Sequence, residues 1–224
     1  MTARPGPDAR PSVPGLSMLG PVTPHLHLSG DAQADRLLSE DPLALLIGMV
    51  LDQQIPLEHA FRGPAELVAR LDLPTPMDAA RIAGMDPELL AEAFARKPAI
   101  HRYPASMAAR VQALCQVITT EHGGHAARVW TEAADGTDLK RRVQALPGYG
   151  EQKARIFVAL LAKQLGVRPA GWEEASAPFG EAGSFRSVAD IVDAASLAKV
   201  REAKRAAKAG GVAKAGAAAA PPSR

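Results

Sequence analysis

The sequence predicts an all-α protein, and three observations carry that expectation. Apolar residues fill 47% of the 224 positions while aromatic residues fill only 4%, so much of the apolar content is alanine. That balance suits packed helices better than sheets. Apolar residues also recur at helical spacing in window after window, with no alternating run of useful length and no internal repeat. Finally, proline or a capping side chain stands at the head of several of these windows.

Taken in order, residues 1–24 are rich in Pro, Gly and Ser and read as a disordered N-terminal segment. "HLHL", His25 to Leu28, reads as a short extended piece. The first strong helix lies in "DPLALLIGMVLDQQ", with Asp41 as N-cap and Pro42 in the first helical position. Leu43, Leu46, Ile47, Val50 and Leu51 paint one face; Ala44, Leu45 and Met49 widen it, so this helix is expected to be buried nearly all round. Pro56 opens a second helix through "LEHAFRGPAELVARL", and Pro87 a third through "ELLAEAFAR". After the loop "KPAIHRYPAS" a helix is expected from Met107 to about His122, then a shorter one in "HAARVWTEA". "TDLKRRVQAL", with Thr137 as cap, and Glu151 to Leu165 follow, the latter with Ala154, Phe157, Val158, Leu161 and Leu165 inward. A last helix covers Ala195 to about Lys208. The helical domain is therefore 25–208, and the Ala/Lys-rich 209–224 reads as a disordered tail.

Composition sets further bounds. The single cysteine, Cys115, lies in an apolar helical stretch; it permits neither an intramolecular disulfide nor a four-cysteine iron–sulfur site. The six histidines lack metal-ligand spacing, and neither H-E-x-x-H nor a phosphate-binding G-x-x-x-x-G-K occurs, so no metal site is expected. No apolar stretch approaches the length of a membrane span, which leads to the expectation of a cytoplasmic protein without a membrane partner. The net charge of +2 conceals an asymmetry: residues 199–224 carry seven basic side chains against one acid, leaving the rest of the chain acidic. A basic end adds non-specific affinity for a polyanion or simply keeps the chain soluble.

The most informative stretch is "LPGYGEQKA", Leu146 to Ala154, which stops one helix and restarts another across two glycines. Glycine permits backbone conformations that side chains forbid. The resulting corner leaves successive N–H groups open at a helix N-terminus, a site suited to a phosphate oxygen. Such contacts hold a nucleic-acid backbone in register without reading its sequence. Lys140, Arg141, Arg142 and Lys153 flank the corner.

This stretch resembles the hairpin of the helix-hairpin-helix base-excision DNA glycosylases, the superfamily of endonuclease III and 3-methyladenine DNA glycosylase II. "LLIGMVLDQQIPLEHA" is similar to the segment in which a buried helix of that family ends in a Gln-Gln or Ala-Gln pair. "MAARVQALCQVI" resembles the helix preceding the hairpin unit. The matches span about residues 40–175 in the family's order. The resemblance implies two helical subdomains flanking a cleft, with the hairpin unit at 137–165. It implies a monofunctional glycosylase of base excision repair, acting as a nucleoid-associated monomer on double-stranded DNA with a damaged or mispaired base. Gln54 would enter the duplex and Gln53 support it, while Leu146, Gly148, Tyr149, Gly150, Gln152 and Lys153 would hold the backbone.

Bifunctional members carry a nucleophilic lysine two residues after the last hairpin glycine. Here that position is Gln152, whose amide is not nucleophilic, so lyase activity is not expected. The family's "VDTH" aspartate is also missing, which leaves Glu173 and Asp190 as the candidate catalytic carboxylates. Tyr103 and Trp172 are the candidate flat faces of a base pocket, with Phe179, Tyr149 and Trp130 the other aromatics in reach. No cofactor is implied beyond a monovalent ion that main-chain carbonyls of such hairpins often bind. A non-catalytic helix-hairpin-helix DNA-binding protein is the alternative: the missing "VDTH" favours it and the Gln-Gln helix end argues against it.

Overall fold

Eleven α-helices and one short 3-10 turn make up the regular structure of residues 25–218, which are those the computed structural model describes. No strand occurs among them, and the chain is all-α. The segment expected to be disordered at 1–24, and residues 219–224 of the expected tail, lie outside the described residues. The elements are α1 (Ala32–Glu40), α2 (Pro42–Leu51), α3 (Leu57–Leu71), α4 (Ala79–Ala83), α5 (Pro87–Ala95) and α6 (Pro104–Glu121). There follow α7 (Arg128–Thr131), α8 (Gly136–Gln144), α9 (Glu151–Gln164), α10 (Trp172–Ser176), the 3-10 turn (Val188–Asp190) and α11 (Ala194–Ala218).

Aspartates start five of these helices. Asp31, Asp41, Asp78, Asp86 and Asp135 each accept hydrogen bonds from first-turn amides of α1, α2, α4, α5 and α8. The carboxylate satisfies donors that have no partner inside the helix and sits at the positive end of the helix dipole. Two of these helices, α1 and α4, were not foreseen; α4 is a short turn, and α1 has weak apolar content beside α2. At α8 the cap is Asp135 rather than Thr137. The last helix runs ten residues beyond the expected end at Lys208, through a segment read as disordered tail. Alanine is the strongest helix former, so an Ala-rich stretch can extend a helix that has already been nucleated.

Helices α1–α6 pack chiefly on one another, and α7–α11 do likewise. The chain thus forms two helical groups, sharing one continuous apolar cluster. At the centre of the first group lies α2, every residue of which from Leu43 to Leu51 is buried. Its axis comes close to α3 at Gly48, where an added Cβ would stand 2.8 Å from Phe61 Cδ1. In the second group α9 buries Ala154 and Phe157 through Ala162. Phe157 meets Trp130 and Tyr149 edge-on, at centroid distances of 6.0 and 5.7 Å. Tyr149 then bridges the groups, its hydroxyl donating to the Leu46 carbonyl at 3.0 Å. This bridge fixes the α8–α9 corner against the end of α2.

Candidate functional site

Where the two groups meet, the end of α2 and the start of α9 open a cavity of about 950 Å³. Asp52 to Ile55 form one wall and Gly150 to Lys153 another. Pro178, Phe179 and Arg186 to Val188 close it from the second group, and Lys204 of α11 stands at its edge.

The corner wall is built from two unlike glycines. Gly148 has φ +89°, a left-handed conformation, and an added Cβ would lie 2.9 Å from Arg110 Cδ and 3.3 Å from Val50 Cγ2. It is glycine because the turn and the packing both exclude a side chain. Gly150 has an ordinary extended φ of −76° and open space where a Cβ would be. It caps α9 without a side-chain acceptor. The amides of Gly150, Glu151, Gln152 and Lys153 meet no acceptor among the described residues. Five helices among the described residues carry an aspartate at this position; α9 leaves it bare. An uncapped helix start facing a cavity is an anion-accepting surface. Leu146 and Tyr149, expected to touch DNA, instead turn their side chains into the core, since an apolar ring and chain are worth more there than at a solvated corner. The Leu146 carbonyl accepts the Tyr149 N–H at 3.1 Å. Among the described residues no cluster of three His, Cys, Asp or Glu side chains is arranged to hold a metal ion.

The opposite wall is held from three directions. Gln53 is fully engaged: its Nε2 donates to the Val50 carbonyl at 2.8 Å and approaches Met107 Sδ, and its Oε1 accepts from Arg110 Nη1 at 3.1 Å. Its carbonyl accepts from His101 Nε2 at 2.9 Å, and His101 Nδ1 in turn accepts the Tyr103 N–H at 3.1 Å. These two bonds set the imidazole as the neutral Nε2–H tautomer. Burial lowers its pKa below 6.5, against the opposing effect of the Gln53 carbonyl. Next to this fixed residue, Gln54 has φ +57° and an exposed side chain. Only one other non-glycine residue described here, Asp72, has positive φ. Such a conformation costs about 1–2 kcal/mol and persists only where its surroundings impose it. The Tyr103 hydroxyl reaches Gln54 Oε1 at 3.4 Å, so Tyr103 stands beside Gln54 rather than in the cavity wall.

Lys153 is committed to the fold. Its ammonium donates to the carbonyls of Met49 at 2.6 Å and Val50 at 3.2 Å, satisfying acceptors that the end of α2 leaves open. Burial lowers its pKa from 10.5 to about 8, partly offset by Asp52 and reinforced by Arg110. It is thus not the free phosphate ligand expected from its place in the sequence. Gln152 is exposed on the cavity wall. Arg141 and Arg142 pair with Asp138 one turn earlier, away from the corner.

Neither expected carboxylate reaches the cavity. Glu173 is exposed in the first turn of α10, a helix that packs on α8 and α9 and lies outside the cavity wall. Trp172 goes with it, its ring beside Gly180 rather than in the cleft. Asp190 is buried and saturated, accepting from Lys163 Nζ at 2.6 Å, Ser184 Oγ at 3.1 Å, and the amides of Arg186 and Ser187 at 2.9 and 3.1 Å. It anchors the 181–190 loop to α9. The carboxylates that do line the cavity are Asp52 and Glu151, of which Glu151 pairs with Arg155. Asp52 has no ion-pair or hydrogen-bond partner for its side chain among the described residues. The aromatic in the wall is Phe179, and Arg110 is the cation behind Gln53. No short-range pattern marks Asp52 or Arg110, because the partners that give them meaning are far away in the chain.

No protein-family model matches this chain, and neither a curated protein nor a solved structure does. No helix among the described residues is long and apolar enough to cross a membrane.

Proposed function

We propose that the chain is a monofunctional DNA glycosylase with a helix-hairpin-helix architecture. The observation that carries this reading is Gln54, held at positive φ on the lip of the same cavity that the bare start of α9 lines. Simple backbone binding gives no reason to maintain a strained, exposed glutamine opposite an anion site. An enzyme that turns a base out of the stack does need a side chain to fill the gap and pair with the orphaned base.

In this reading the amides of Gly150 to Lys153 grip a phosphate of the strand that carries the damaged base, and Gln54 enters the duplex. The base turns into the cavity against Phe179. Water adds to the sugar's anomeric carbon as the carbon–nitrogen bond breaks; its oxygen and one hydrogen stay on that carbon as the hydroxyl, and the one proton it loses passes to the departing base. Asp52, the unpaired carboxylate of the wall, stabilises the positive charge that develops on the sugar or orients that water. No lysine stands at the position of the family's nucleophile, since Gln152 occupies it and the neighbouring Lys153 is bonded to α2. The product is an abasic site with an intact strand.

One observation favours a non-catalytic DNA-binding protein instead: both expected carboxylates lie outside the cleft. Duplex oligonucleotides bearing single lesions (uracil, alkylated or oxidised purines, mismatches) separate the two. Strand breaks that need alkali on at least one lesion, lost in Asp52→Asn, support the glycosylase. Binding to every duplex without base release removes the enzymatic reading, and no binding at all removes both.

A further inference from the structure

A second cavity, of about 710 Å³, lies on the other side of the Gln54 turn. The two cavities share Ile55, so the segment that carries Gln54 is the partition between them. The second is rich in cations: Arg62 of α3, Arg102 of the loop before α6, His59, and Arg201 of α11. Arg201 is neutralised by an ion pair with Glu58, and His59 is bonded to the Ala99 carbonyl at 3.0 Å. Arg62 and Arg102 differ. Both are exposed, and neither has a carboxylate in ion-pair reach among the described residues. Arg62 Nε turns back to the Glu58 carbonyl, and the Arg102 guanidinium lies 4.9 Å from the centre of the Tyr103 ring, the ring that touches Gln54.

Resting on the DNA reading above, we propose that this second cavity takes a backbone phosphate of the complementary strand, held by Arg62 and Arg102. A side chain wedged between base steps kinks the duplex, and bending it costs free energy. A grip on one side of the wedge lets the far arm swing back and expel it. Unpaired guanidinium groups on the opposite side oppose that recoil by holding the second strand. The same stacking that orders Arg102 ties it to Tyr103 and so to Gln54, coupling the second grip to the wedge. Duplex, rather than single-stranded DNA, is therefore the preferred ligand.

The test measures fluorescence anisotropy of labelled undamaged duplex and single strand against salt, for wild type, Arg62→Gln/Arg102→Gln and Arg62→Lys/Arg102→Lys. Each phosphate contact contributes about −0.9 to the log–log salt slope on duplex. The glutamine pair should flatten that slope by about 0.9, so that roughly 3.5-fold less affinity is lost between 50 and 200 mM salt. Single-strand binding should change little, and the lysine pair should restore the slope. An unchanged duplex slope, or equal losses on duplex and single strand, overturns the second grip. If Gly150→Val weakens binding while the glutamine pair does not, the hairpin grip stands and this inference falls alone. If wild type binds no duplex even at low salt, the DNA reading itself falls and takes the inference with it.

Discussion

Substituting Gly148 and Gly150 one at a time separates what the corner does for the fold from what it does for a ligand. Gly148→Ala places a Cβ on a residue at φ +89° and 2.9 Å from Arg110 Cδ. The left-handed backbone alone costs about 1–2 kcal/mol. Moving Arg110 also loosens its bond to Gln53 Oε1, a charged hydrogen bond worth roughly 1 kcal/mol when half-exposed. The sum is about 2–3 kcal/mol. For a chain of this size each kcal/mol shifts Tm by about 2–4 °C, so a fall of roughly 4–12 °C is expected. Gly150→Val has no such cost, because φ is −76° and no atom lies within 4 Å of the new Cβ. Its Tm should stay within about 2 °C of wild type. What Gly150→Val does is cover the open amides of α9, so affinity for undamaged duplex should fall by about tenfold, a loss of roughly one charge-assisted hydrogen bond. Circular dichroism melts and anisotropy titrations of the two variants give the four numbers. A Gly148→Ala melt matching wild type would refute the account of the turn; a Gly150→Val variant that binds as well as wild type would refute the anion site.

Other perturbations test the remaining walls. Gln54→Gly relieves the positive φ and should raise Tm by about 2–4 °C while lowering base release at a lesion; a variant that is neither more stable nor less active would show that the conformation serves nothing. Lys163→Met leaves Asp190 buried without its cation and should cost about 3 kcal/mol, seen as a denaturant midpoint shift. Because Asp190 does not line the cavity, base release per folded molecule should survive this change, and its loss would return Asp190 to the list of catalytic groups. His101 is neutral in the fold with its pKa below 6.5, so its contribution is complete above that value. As pH falls below 6.5 the unfolded chain takes up the proton first, and stability declines until the folded imidazole also protonates. Urea midpoints from pH 8 to pH 5 should therefore drop in wild type and drop less in His101→Asn; parallel curves would exclude His101 as the titrating group. His122, whose pKa burial also lowers, accounts for the decline that remains in that variant.

The helical character of the chain, the burial of α2 on all sides and the inward face of α9 were legible in the sequence, because each depends on residues within one or two turns of each other. So was the position of the corner, since a left-handed turn favours a glycine, and two glycines one residue apart between helical patterns stand out. Sequence could not separate the two glycines, one packed against Arg110 and one open to solvent. It could not tell that Tyr149 serves the core, that Lys153 closes the end of α2, or that Asp190 is saturated by Lys163. Those outcomes rest on contacts between residues 103 apart for Tyr149 and Leu46, 104 apart for Lys153 and Met49, and 27 apart for Lys163 and Asp190. The identity of the carboxylate and the aromatic that face the cavity was decided in the same way. Local propensity determines what a helix is, but the direction in which its polar groups point is settled by what the rest of the chain leaves unsatisfied beside them.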